Sequence, residues 1–184
     1  MGEVTDVKRQ SVSADRRAED LAARIDLALG NWVQVLQELT PEQWKRTCHN
    51  HPEIRMGEDE NRPVGVVAHH IAIGCAVHAD MARRIADGKA VSMTTLDVDG
   101  LARFNATHAA DNPDPDQAGT IAFLQANASA LAEVARSLSG DQLDRSGDVY
   151  GSHPTTEEFL QRIGIGHGDW HIDSIKATLV SAPA

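Results

Sequence analysis

Four stretches of this chain repeat apolar side chains every three or four residues over some twenty positions, a spacing that suits a helix and not a strand. The first runs from about residue 14 to 39, with Leu21, Ile25, Ala28, Trp32, Val35, Leu36 and Leu39 in register. The second runs from Pro63 to about Asp87 through Val64, Val67, Ala68, Ile71, Cys75, His78, Ala82 and Ile85. The third, from about 116 to 138, carries Ile121, Leu124, Ala128, Leu131, Ala135 and Leu138. The fourth opens at Thr155 and sets Leu160, Ile163, His167, Trp170, His171, Ser174 and Thr178 opposite Glu158, Arg162, Asp169, Asp173 and Lys176. No segment reads as a strand and no repeat of solenoid length is present. The chain is therefore expected to be all-α, an up-down four-helix bundle with additional short helices and one long crossover.

Local punctuation agrees with these limits. Thr155 with Glu158, and Thr40-Pro41 with Gln43, are capping boxes, the second starting a short helix whose Trp44 packs on the bundle. Pro63 opens one helix, Gly88 stops it, and Ser139-Gly140 stops the third. Leu101, Phe104, Asn105 and His108 suggest a further short helix ended by the turn at 111–115. Cys48 to Arg62 has no period and reads as a loop of some 15 residues, long enough for a functional role such as a lid. Residues 1–13 read as a frayed tail, 14–180 as one domain and 181–184 as a C-terminal tail. Gly164, Gly166 and Gly168 each cost a helix about 1 kcal/mol relative to alanine, which points to close approach of a neighbouring helix or ligand.

At 184 residues the chain can bury one substantial core. A net charge of −10 and a pI near 5.2 argue against nucleic acid and anionic membrane as partners. No export signal and no run of about 18 apolar residues is apparent, so a cytoplasmic location is expected. Cys48 and Cys75 suit a reducing compartment as free thiols. Cys48, His49 and His51 read as a solvated loop rather than a metal cluster. Asn105-Ala106-Thr107 and Asn127-Ala128-Ser129 match a glycosylation pattern but fall on expected helices.

The histidines carry the chemistry. Residues four apart on a helix differ by about 40° around its axis, so the rings of His167 and His171 can reach one ion. Such a pair also arises by chance among nine histidines, and is half a site until another element adds a ligand. On the Pro63 helix, His70 lies at the flank of the apolar stripe, where it can project between helices. His69 falls on the opposite face with Asp80 and Asp87, and His78 near the stripe's centre reads as a packed core residue. His70, His167 and His171 thus form a three-histidine site with coordination positions left open, the pattern of a catalytic rather than a structural metal. Imidazole donors without thiolates suit Zn²⁺ or Ni²⁺. Asp169 and Asp173 point away. His78, Asn105 and His108 are candidates to line the cleft, or ordinary core and cap residues. His167-Gly168 is not the His-Glu of a metalloprotease helix, and the Asp-rich turn at 111–116 lacks the glycine and glutamate of a calcium loop.

Two motifs carry a resemblance. Pro63-Val64-Gly65-Val66-Val67-Ala68-His69-His70-Ile71 and His167-Gly168-Asp169-Trp170-His171 are similar to the helix with a single ligand histidine and the C-terminal His-x-x-x-His of the DinB/YfiT-like family. Helix order and spacing extend the likeness from about residue 14 to 180. Many relatives have Trp-Ser where this chain has Arg62-Pro63, and Gln-Ile where it has Ser174-Ile175. The resemblance implies a metal-binding four-helix bundle, usually with zinc or nickel and often a homodimer. It further implies a metalloenzyme whose metal activates a low-molecular-weight thiol or water for transfer, isomerisation or hydrolysis on a small molecule. The competing readings are a non-catalytic bundle that binds a small molecule or partner around a structural or vestigial metal, and an acidic interaction protein with no metal.

Overall fold

The computed structural model describes residues 3–51, 60–91 and 98–180. Residues 1–2 and 92–97, the 181–184 tail and the 52–59 part of the loop expected as a lid lie outside the described residues. Helix α1 spans Glu3–Gln37. It begins well before residue 14, within the tail expected to fray: Glu3 to Ser13 has no apolar stripe, but it has no glycine or proline to stop a helix. Thr40 caps α2 (Pro41–Lys45), accepting from the Gln43 N–H while the Gln43 side chain accepts from the Thr40 N–H. Trp44 is buried there and donates to the Pro115 carbonyl at 2.8 Å.

Strands β1 (Thr47–Cys48) and β2 (Arg62–Pro63) pair antiparallel, Thr47 opposite Pro63 and Cys48 opposite Arg62. This corrects the strand-free reading. Two residues are too few to show alternation, and the pairing exists because the chain folds back on itself. It also draws Cys48 out of solvent into full burial. Helix α3 (Val64–Ala86) comes directly after β2 and ends at Asp87, with Gly88 at φ +68°. α3 is long and apolar enough to span a membrane by composition, yet 72% of that window is buried inside the fold, so its apolarity serves the core.

Helix α4 (Val98–Asp111) is longer than its weak pattern suggests. Asp116 caps α5 (Gln117–Ser137) through the Gly119 N–H at 2.6 Å. Ser139-Gly140 does more than stop α5: Ser139 and Gln142 form a capping box that starts α6 (Gly140–Asp144). The Thr155–Glu158 box opens α7 (Thr156–Phe159) as expected. A π-helical turn over Leu160–Ile165 then leads into α8 (Gly166–Val180).

The described chain is all-α apart from the β1–β2 pair. α5 packs on both α1 and α3, and α8 packs on α3 and α1. Leu21, Ile25, Trp32 and Leu36 of α1, Ile71 and Ile85 of α3 and Leu124 and Leu131 of α5 are fully buried. Each such side chain contributes about 1.5–3 kcal/mol of transfer free energy. Asn127 donates to the Ala72 carbonyl at 3.0 Å and Gln117 to the Leu36 carbonyl at 2.7 Å, so both polar side chains bridge elements. Asn127 is therefore a structural residue of α5.

Candidate metal centre

α3 and α8 bring together the three histidines that the helical spacing singles out. His70 is buried on α3, and His167 and His171 are partly exposed on α8. The His70 and His167 Nε2 atoms are 3.0 Å apart, and those of His167 and His171 are 3.3 Å apart. One nitrogen from each ring lies within 4.8 Å of the other two. Two ligands about 2.0–2.1 Å from one ion at tetrahedral angles would sit about 3.3–3.4 Å apart, close to the observed separations. Gly74 makes the approach possible: a Cβ there would lie 2.8 Å from His167 Cε1. The group is able to hold a metal ion.

Proton positions favour that use. The Glu60 carboxylate, buried to 6% side-chain exposure, lies 3.2 Å from His171 Nδ1. Burial works to raise the Glu60 carboxyl, but contacts with His171 and Arg62 outweigh it and hold the group below its ordinary value. An ionised carboxylate accepts only, so Nδ1 of His171 carries a proton towards it, and the tautomer that can ligate is the one with its lone pair at Nε2. At His167 Nε2 one ring proton serves one of the two close neighbours, and lone pairs are left facing each other across the other. A cation held between the three Nε2 atoms would remove that repulsion. Burial above all holds His70 and His167 well below the ordinary imidazole value, in the neutral form that ligates.

Glu60 is the neighbour of the three histidines that sequence reasoning missed. Its fixed position comes from Arg62, whose Nε and Nη2 both donate to Glu60 Oε1, and from Asn61 between them at φ 44°. Asparagine tolerates that left-handed conformation better than most residues. The sequence signal was the run Glu60-Asn61-Arg62 just ahead of α3, hidden in an aperiodic polar stretch.

Other histidines surround the three. His78 is buried, its ring 5.0 Å from that of His167 and edge-on to Phe159, as expected for a core residue. Burial lowers its pKa to about 4. His108 of α4 is also buried, with its ring 5.4 Å from that of His70. Burial and the neighbouring His69 and Arg62 bring it to about 4 as well. His69 does not share a solvent face with Asp80 and Asp87: it stacks on His108 and Phe123, with Nδ1 2.9 Å from His108 Nε2. The wheel placed its direction but not His108 of α4, which packs against its ring.

The π turn changes the fourth stripe. One extra residue per turn rotates the remainder of the helix, so Gly164, Ile165, Gly168, Ile172 and Ile175 are buried, whereas Trp170 is 42% exposed. His167 and His171 consequently sit at the edge of the packed face. Asp169 points away from the three histidines and accepts from Trp32 Nε1 at 2.8 Å. Of the three helix glycines, only Gly168 meets a neighbour closely: a Cβ there would lie 2.3 Å from the Trp32 ring. No family model, curated protein or solved structure matches the chain.

Proposed function

We propose that the chain is a divalent-metal protein of the DinB/YfiT-like type, an up-down four-helix bundle whose three-histidine site works on a small molecule. The observation that supports it most is the convergence of the His70, His167 and His171 Nε2 atoms, with the His171 lone pair set inward by Glu60. The α1–α5–α3–α8 contacts and the all-α content fit the bundle. The resemblance supplies the remainder of the reading: zinc or nickel as the ion, a low-molecular-weight thiol or water as the activated group, transfer, isomerisation or hydrolysis as the reaction, and a cytoplasmic homodimer as the working form.

His70, His167 and His171 would hold the ion, which supplies Lewis acidity and lowers the pKa of a thiol or water bound beside the imidazoles. The chain's own residues position that chemistry. Burial keeps His70 and His167 neutral and available. Glu60 holds the Nδ1 proton of His171 and fixes its ring, and Arg62 fixes Glu60. Three protein ligands leave room for a reacting group, as in catalytic rather than structural sites.

Cobalt(II) substitution tests this reading. The visible bands of a four- or five-coordinate nitrogen site are expected on adding one equivalent, with a sulfur-to-cobalt charge-transfer band on adding 2-mercaptoethanol. Cobalt bands that ignore both thiol and cyanide would instead mark a closed, structural site and a non-catalytic binder.

A further inference from the structure

We infer that the site takes a small carboxylate, its anionic group bound by Arg62 and His108 beside the three histidines. The inference rests on the metal reading and names the ligand class for the same site. Five buried side-chain polar atoms among the described residues lack a hydrogen-bond partner: Arg62 Nη1, His70 Nδ1, His78 Nδ1, Asn105 Oδ1 and His108 Nδ1. Buried polar atoms are nearly always paired, and these five belong to one region. His70 is a ligand, His78 abuts His167, His108 abuts His70, and Asn105 lies one turn before His108 on α4. Arg62 joins them through Glu60, whose other oxygen holds His171.

The donors define the ligand. Arg62 gives Nε–H and one Nη2–H to Glu60, and Nη1 is its buried nitrogen with no partner. When His69 Nδ1–H donates to His108 Nε2, His108 carries its own proton on Nδ1 and becomes a second donor. Two N–H donors, one of them charged, suit a carboxylate. Asn105 Oδ1 accepts, and so suits a hydroxyl or amine on the same molecule.

Charge leads to the same class. Arg62 and Glu60 cancel as an ion pair and ligating imidazoles bring no charge, so a divalent ion held there would carry two positive charges that this pair does not offset. An anionic ligand offsets them.

The test uses the full chain loaded with cobalt(II), titrated with 3-mercaptopropionate and with its uncharged analogue 2-mercaptoethanol, following the thiolate-to-cobalt band. A charge-assisted hydrogen bond is worth about 1.5–3 kcal/mol, so 3-mercaptopropionate should bind about 10–100-fold more tightly. In His108→Phe that preference should shrink severalfold with the 2-mercaptoethanol Kd unchanged, and in Arg62→Met, which also releases Glu60, the ratio of the two Kd values should shrink severalfold whatever the absolute affinities. His108→Phe keeps the ring stacked on His69 and does not touch Glu60, so it decides the matter if Arg62→Met loses cobalt. Equal affinities in the wild type, or a preference that survives in His108→Phe and in any cobalt-loaded Arg62→Met, would overturn the carboxylate subsite and leave the metal reading intact. Cobalt bound without a band from either thiol would overturn both the subsite and thiol activation, and failure to bind cobalt would overturn the metal reading itself.

Discussion

His171 is the ligand whose state its neighbours fix most tightly. Its Nδ1 faces a buried carboxylate 3.2 Å away, and that carboxylate is clamped by a guanidinium, so its ring and tautomer are set before an ion arrives. Partners of this kind are worth about 10–100-fold in metal affinity. Glu60→Gln should weaken zinc binding by about that factor without abolishing it, as read by competition with a chromophoric chelator. An unchanged affinity would show that Glu60 does not orient the ring. His70 could be read from its place on the Pro63 helix and His167 and His171 from their spacing, because each depends on a local periodicity. Glu60 depends on where a loop returns, through Asn61 and the pairing of Cys48 with Arg62, and no local rule reports that. His69 shows the same limit: the helical wheel gives its direction, whereas its partner His108 comes from an element with a weak pattern.

Among the elements, the α7–π–α8 run best separates what local sequence specifies from what packing adds. The Thr155–Glu158 box marks its start to the residue. The π turn after it is not visible as a break in the pattern, since Leu160, Gln161 and Arg162 suit an ordinary helix equally well. Its effect is to bury Gly168 against Trp32 and to set the histidine pair at the edge of the core. The glycines should therefore respond oppositely to substitution. Gly166 has ordinary helical torsions, φ −58° and ψ −33°, and an added Cβ meets only the Gln161 carbonyl oxygen at 3.9 Å. Gly166→Ala should stabilise the metal-free protein by about 0.5–1 kcal/mol in urea unfolding. Gly168→Ala, with a Cβ 2.3 Å from the Trp32 ring, should destabilise it by about 1–3 kcal/mol. A neutral or stabilising Gly168→Ala would show that the Trp32–Gly168 contact is not as described, and a destabilising Gly166→Ala that the space beside Gly166 is not. Gly74→Ala belongs with the second kind, but its damage falls on the site: the Cβ would displace His167 and weaken metal binding.

At the scale of the molecule, neutral buried histidines make the fold sensitive to acid. In the unfolded chain an imidazole protonates near 6.5, whereas His78 and His108 in the fold stay neutral down to about 4. Through that window the unfolded state binds more protons. The metal-free protein should hold full stability above about pH 6.5 and lose it progressively as the pH falls towards 4. Thermal melts of His78→Leu beside the wild type check this, since the variant should show a shallower decline. A bound ion adds to stability by mass action, about 2.7 kcal/mol at a hundred times its Kd. Chelation at pH 7.5 should therefore lower Tm by about 5–10 °C with the helical circular dichroism retained. The helices, most caps and the three candidate ligands were legible because each is a local pattern. The short β pair, the packing of His108 against His69 and the Arg62–Glu60 clamp required the assembled chain. The most direct test of the three-histidine centre is elemental analysis by plasma mass spectrometry of purified, tag-free protein and of its single alanine variants. About one zinc or nickel per chain in the wild type and in His69→Ala, with none in His70→Ala, His167→Ala or His171→Ala, is the predicted result. Stoichiometric metal persisting in all three of those variants, or none in the wild type even after reconstitution, would contradict it.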